Sequence, residues 1–159
     1  LVSALKKHAP DVYFVLVSTA CVFPGDRGMY TEKDLPNPKN YYSYTKSLSE
    51  MVVRQLEKTL IVRTNFVARE PWPFPKAFTD RFGTYLFAEH VARGIKDVSD
   101  EKMTGIVHIV GGRKMSMFEL AQITSKDVKP MTMAEYSGPP LTVDMSLDTV
   151  RWKKYSIER

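Results

Sequence analysis

Tyr42 and Lys46 stand four residues apart in the stretch NYYSYTKSLSE, residues 40 to 50. On a helix that spacing stacks two side chains on one face, about one turn apart. Such a pair can move protons. A free phenol, with a pKa near 10, is a sluggish acid or base at neutral pH. An ammonium one turn away favours the phenolate and brings the value down. Tyr44, two residues before the same lysine, would lie about 200° round the helix from Tyr42 and reads as packing or surface. The spacing alone also fits a surface tyrosine beside a solvated lysine, so the neighbouring elements have to decide.

Those elements read as α/β. The opening LVSALKKHAP is the end of a helix closed by Pro10. Residues 12 to 18, VYFVLVS, are apolar on both faces, which fits a buried strand of a parallel sheet. This strand delivers Ser18 and Thr19 at its carboxyl end, where ligands of open α/β sheets bind. A loop rich in Pro, Gly, Asp and Asn follows. A helix is then expected over about Tyr41 to Glu57, with Leu48, Met51, Val52 and Leu56 as its apolar stripe. TLIVRTNF is a second buried strand, and strand–helix–strand makes a βαβ unit.

Further on, REPWPFPKAF holds three prolines in ten residues and is loop. FAEHVARGIKDVSD is an amphipathic helix, and GIVHIVGG a short strand ending in glycines. In SMFELAQITSKDV, Ser116 followed by Glu119 forms a capping box that starts a helix. The tail reads as a Pro-rich turn, an extended piece and a last short helix.

Composition narrows the classes. No apolar run approaches the ~18 residues of a membrane span, and the first residues lack a secretory pattern. One cysteine, Cys21, forbids an internal disulfide, and a cytoplasmic home is the expectation. The net charge of +5 comes without a basic run, so nucleic acid is not an expected partner. It suits an anionic small ligand. His90 and His108 lack ligand spacing, so no metal site is expected. Cys21 has no basic neighbour to make it a nucleophile. The glycine pattern G-x-G-x-x-G of dinucleotide-binding domains is absent, and no glycine precedes Gly25.

Several stretches resemble one family. STACVFPG at 18 to 25, followed by the Tyr42–Lys46 pair, resembles the extended short-chain dehydrogenase/reductases, which act on nucleotide-linked sugars. The likeness is to the dTDP-4-dehydrorhamnose reductase branch, whose strand end resembles S-T-D-Y-V-F-x-G. RTNFV, DRFGTYLFAEHVARGI, GIVHIVGGRKMSMFELAQ and MSLDTVRWKKYSI resemble later segments of that branch, in its order. Ala20 and Cys21 depart from its Asp-Tyr, Ser43 from a frequent glycine, and Glu89 and His90 from Asp-Leu.

The resemblance implies the later part of a doubly wound, Rossmann-like parallel sheet with a smaller substrate-binding lobe. Residues 1–67 would be the carboxyl-terminal part of the nucleotide-binding domain, and 68–159 mainly the lobe. It implies NAD or NADP as cofactor and a nucleotide-sugar substrate. Thr19, Tyr42 and Lys46 would be catalytic. Thr19 would orient the substrate carbonyl, Tyr42 would be the general acid/base, and Lys46 would tune it and hold the cofactor ribose. Asn65 and Phe66 would pass the nicotinamide. Asp80, Arg81 and Arg113 would contact the substrate from the lobe, Arg113 being the better diphosphate ligand because a guanidinium binds phosphate bidentately.

Family members run to about twice this length. The chain therefore reads as a carboxyl-terminal half that binds dinucleotide weakly and is inactive alone. Such a half predicts self-association or a partner chain supplying the amino-terminal half. The alternative is a non-catalytic relative that serves as a regulatory or interaction subunit.

Overall fold

The computed structural model describes residues 1–158 of the chain. In chain order it has α1 (Val2–His8), β1 (Phe14–Val17), a 3-10 turn (Ala20–Val22), α2 (Tyr41–Val53), β2 (Thr59–Thr64), β3 (Phe66–Val67) and β4 (Lys76–Phe78). It continues with β5 (Phe82–Gly83), β6 (Leu86–Phe87), α3 (Ala88–Asp100), β7 (Gly105–Ile109), β8 (Met115–Ser116), α4 (Met117–Thr124), β9 (Lys129–Met131) and a second 3-10 turn (Met133–Glu135).

The main sheet is parallel, ordered β1-β2-β7, with Val17 beside Val62 and Val62 beside Val107. β2 is the centre, and all six of its residues are buried. Its side chains alternate. Leu60 and Val62 join Val107, Ile109, Phe87 and Leu120 in the main core, while Ile61 faces Val2, Val53 and Leu56 beneath α1 and α2. Helices thus cover both faces, as a doubly wound parallel sheet requires. Burying each such aliphatic side chain contributes about 1.5–3 kcal/mol.

Several expectations need correction, among them the Pro-rich stretch read as loop, whose end Lys76–Phe78 is a strand. β1 is half-buried rather than buried, and Val17 is exposed, because β1 pairs only with β2 and forms a sheet edge among the described residues. α2 ends at Val53, not Glu57. The Thr59 hydroxyl donates to the carbonyls of Val53 and Leu56 and turns the chain early toward β2. The last short helix is absent. The Thr149 hydroxyl accepts from the amides of Arg151 and Trp152, making a turn, and Tyr155 then pairs with Val110 and Gly112 in extended form.

The chain also crosses back. β7 lies in the main sheet although it follows residue 67. The remaining strands form two-residue and three-residue ribbons, β3-β6, β4-β9 and β5-β8. The expected capping box of α4 is present, with Ser116 and Glu119 each bonding the other's amide.

Candidate active site at the carboxyl end of the sheet

β1 stops where Ser18 donates its amide to Val62 and leaves the sheet. Thr19 follows in extended conformation and caps the 3-10 turn, its Oγ1 accepting from the Cys21 amide at 3.1 Å. Its hydroxyl proton has no acceptor among the described residues, so it is available to a ligand. α2 begins beside this corner. Asn40 caps it, accepting from the Ser43 amide at 2.9 Å. Tyr42 lies in the first turn, 56% exposed, with its hydroxyl unbonded among the described residues. One turn on, Lys46 Nζ donates to the Val17 carbonyl at 2.9 Å. That bond ties the helix to the strand end that carries Thr19, and leaves two ammonium protons for other partners.

Below the corner lies a feature that pattern reading missed. Arg63 and Glu50 are both fully buried and joined by two bonds, Nε–Oε1 at 2.9 Å and Nη2–Oε2 at 2.7 Å. Ser18 Oγ donates to the same carboxylate at 2.6 Å. Ser18 therefore faces the interior. The signal was present in the sequence: an arginine inside an otherwise apolar strand has to find a buried partner.

The other predicted residues divide. Asn65 is buried and turned inward, donating to the Met145 carbonyl at 2.6 Å, whereas Phe66 is half exposed. Arg81 Nε donates to the Thr142 carbonyl, and its two terminal nitrogens meet only the sulfurs of Met117 and Met145. Met145 also touches Cys21 Sγ at 3.3 Å, which links Arg81 to the Thr19 corner. Asp80 is engaged elsewhere, taking the Met133 amide at the second 3-10 turn. Arg113 is exposed and lines a separate hollow of about 350 Å³ with Tyr155 and Lys154. An apolar hollow of about 480 Å³, walled by Trp72, Phe74, Phe78, Met117 and Tyr136, adjoins Arg81.

Among the described residues no carboxylate pairs with Arg81. Tyr85 lies beneath it, and burial pushes that phenol up to about 12, so it stays neutral. Burial raises Asp144, but bonds from Lys114 and Ser146 outweigh it and hold its carboxyl below the usual range. The nearby carboxylate is thereby committed to Lys114.

The RmlD substrate binding domain family matches residues 3–77. A hypothetical dTDP-4-dehydrorhamnose reductase from Sulfolobus tokodaii is 31% identical, with a TM-score of 0.79 over 94% of this chain and 60% of its own. The chain is thus similar in sequence and fold to dTDP-4-dehydrorhamnose reductases. A second such reductase, from Clostridium acetobutylicum, is 27% identical, with a TM-score of 0.79 over 93% of this chain and 60% of its own. The Bacillus anthracis enzyme, solved with NADP, shares the fold at 23% identity and a TM-score of 0.74, over 84% of this chain and 56% of its own. No curated protein matches the chain. The chain thus spans less than two thirds of these relatives' length. Its sheet is the Rossmann-like one that the resemblance implies.

Proposed function

We propose that this chain carries the proton-transfer half of an NAD(P)-dependent reductase or epimerase acting on a nucleotide-linked sugar. One observation supports the reading: Lys46 Nζ bonds the Val17 carbonyl at 2.9 Å, two residues before Thr19, and Tyr42 stands one turn before Lys46 on α2. The fold and the dTDP-4-dehydrorhamnose reductase likeness support it. The residues at this corner fit a nicotinamide nucleotide. Lys46 has two free protons for ribose hydroxyls, and Phe66 offers a half-exposed apolar ring at the end of β2.

When bound, the nicotinamide supplies a hydride to the carbonyl carbon. Thr19 Oγ1 donates a hydrogen bond to the carbonyl oxygen and orients it. Tyr42 Oη gives that oxygen its proton, and the Lys46 ammonium stabilises the phenolate left behind. Arg81 is the better contact for the substrate's phosphates than Arg113. It adjoins the corner through Met145, whereas Arg113 lines another hollow.

The test is oxidation of NADH and NADPH by the full-length protein with a nucleotide-linked 4-keto sugar. Turnover that is lost with Thr19→Val supports the reading. Cofactor binding without turnover favours the non-catalytic subunit.

A further inference from the structure

α2 carries the proposed acid/base, and among the described residues it buries few apolar side chains. Leu48, Met51 and Val52, the expected core stripe, are exposed, and the residues it buries are Ser43, Glu50 and Val53. Polar bonds tie it to the sheet.

We propose that the buried Glu50–Arg63 pair, with Ser18 bonded to it, is a positioning clamp that holds Tyr42 and Lys46 opposite Thr19. The inference rests on the proposed function for its catalytic meaning, but not for its geometry. Three elements converge on the Glu50 carboxylate: α2 supplies it, β2 supplies Arg63, and Ser18 extends β1. Glu50 lies one turn beyond Lys46, and both reach the same strand end, Lys46 at Val17 and Glu50 at Ser18. Thr19 is the next residue. The two bonds of the guanidinium fork fix rotation as well as distance, which a single contact does not. Arg63 is itself fixed, its backbone in the central strand and its guanidinium 5.0 Å over the Phe23 ring. Its Nη1 has no partner among the described residues, so its aim depends on Glu50.

Stability is a poor explanation for such a pair, because apolar residues of similar volume commonly serve as well or better. Positioning is a good one. A displacement of about 1 Å at a reacting group can cost about 100-fold in rate.

The experiment uses the full-length protein with Glu50→Leu and Arg63→Met combined, which removes both charges and keeps the volume. The melting temperature is expected to stay within about 5 °C of the parent. KM for the nucleotide-linked sugar should hold within about threefold while kcat falls about 10- to 100-fold. Arg63→Lys, which cannot fork, should not preserve kcat. Amide hydrogen exchange at residues 17–21 and 42–46 should quicken about tenfold or more. A folded double variant with parental kcat and parental exchange overturns the clamp.

If the double variant fails to fold, Ser18→Ala leaves the ion pair and cuts only the β1 link. Faster exchange at residues 17–21 then supports the clamp, and unchanged exchange overturns it. If the parent shows no turnover, the proposed function fails, and the exchange result alone decides the clamp.

Discussion

Removing one partner of the buried ion pair should be far more damaging than removing both. In Glu50→Ala the Arg63 guanidinium, 0% exposed, loses both of its bonds, and the Ser18 hydroxyl loses its acceptor. An uncompensated buried charge costs about 3–5 kcal/mol. Loss of the Ser18 bond adds about 1 kcal/mol. Arg54, about 3.9 Å from the same carboxylate, is half exposed, so its loss adds little. The sum is about 4–6 kcal/mol, a large part of the 5–15 kcal/mol that separates a typical folded domain from its unfolded state. At about 2–4 °C per kcal/mol for a domain of this size, the midpoint should drop by about 10–20 °C. Urea titration followed by circular dichroism reads the effect, with an unchanged slope as the check that the loss is one of stability. A Glu50→Ala protein within about 1 kcal/mol of the parent would refute the reasoning, because the pair would then be neither dry nor bonded.

Other outcomes follow from single features. Burial lowers the His108 pKa below its usual 6.5, and Nδ1 bonds the Asp148 carbonyl. The unfolded chain takes up the proton first, so stability should fall as pH drops below about 6.5, and His108→Gln should flatten that slope in denaturant titrations at pH 7 and 5.5. Gly28 has φ +71°, and a Cβ there would lie 2.3 Å from the Asp144 carboxylate. Gly28→Ala should therefore cost about 1–3 kcal/mol and detach the Tyr30 loop, seen as faster exchange over residues 26–31. Ser116→Ala removes the cap of α4 and should cost about 1 kcal/mol by thermal melting.

The sequence made the central layer readable because its signals were local. β2 is a continuous apolar run and is buried throughout, and the Ser116–Glu119 spacing announces its own cap. What failed depended on neighbours. The apolar stripe of Leu48, Met51 and Val52 reads as a core face by period alone, but among the described residues it is exposed while Glu50 points inward to Arg63. β1 reads as buried because its residues are apolar on both faces, although it pairs on one side only. Turn chemistry overrode helical pattern at Thr149, whose hydroxyl takes two amides. Within the proposed site, the Tyr42–Lys46 spacing was visible but ambiguous, and the roles of Thr19, Tyr42 and Lys46 came from the family resemblance. The roles of Glu50 and Ser18 were not visible, because their partners lie 13 and 32 positions from Glu50. The sequence reading favoured Arg113 as the diphosphate ligand, and the preference proposed for Arg81 rests on its surroundings alone.

The account turns on Tyr42 as the acid/base, with Tyr44 on the same helix as the internal control. In the full-length protein, Tyr42→Phe should lower kcat by about 100- to 10,000-fold while leaving NAD(P)H affinity within about twofold, and Tyr44→Phe should leave both near the parent. Parental turnover in Tyr42→Phe, or equal losses in the two variants, contradicts it.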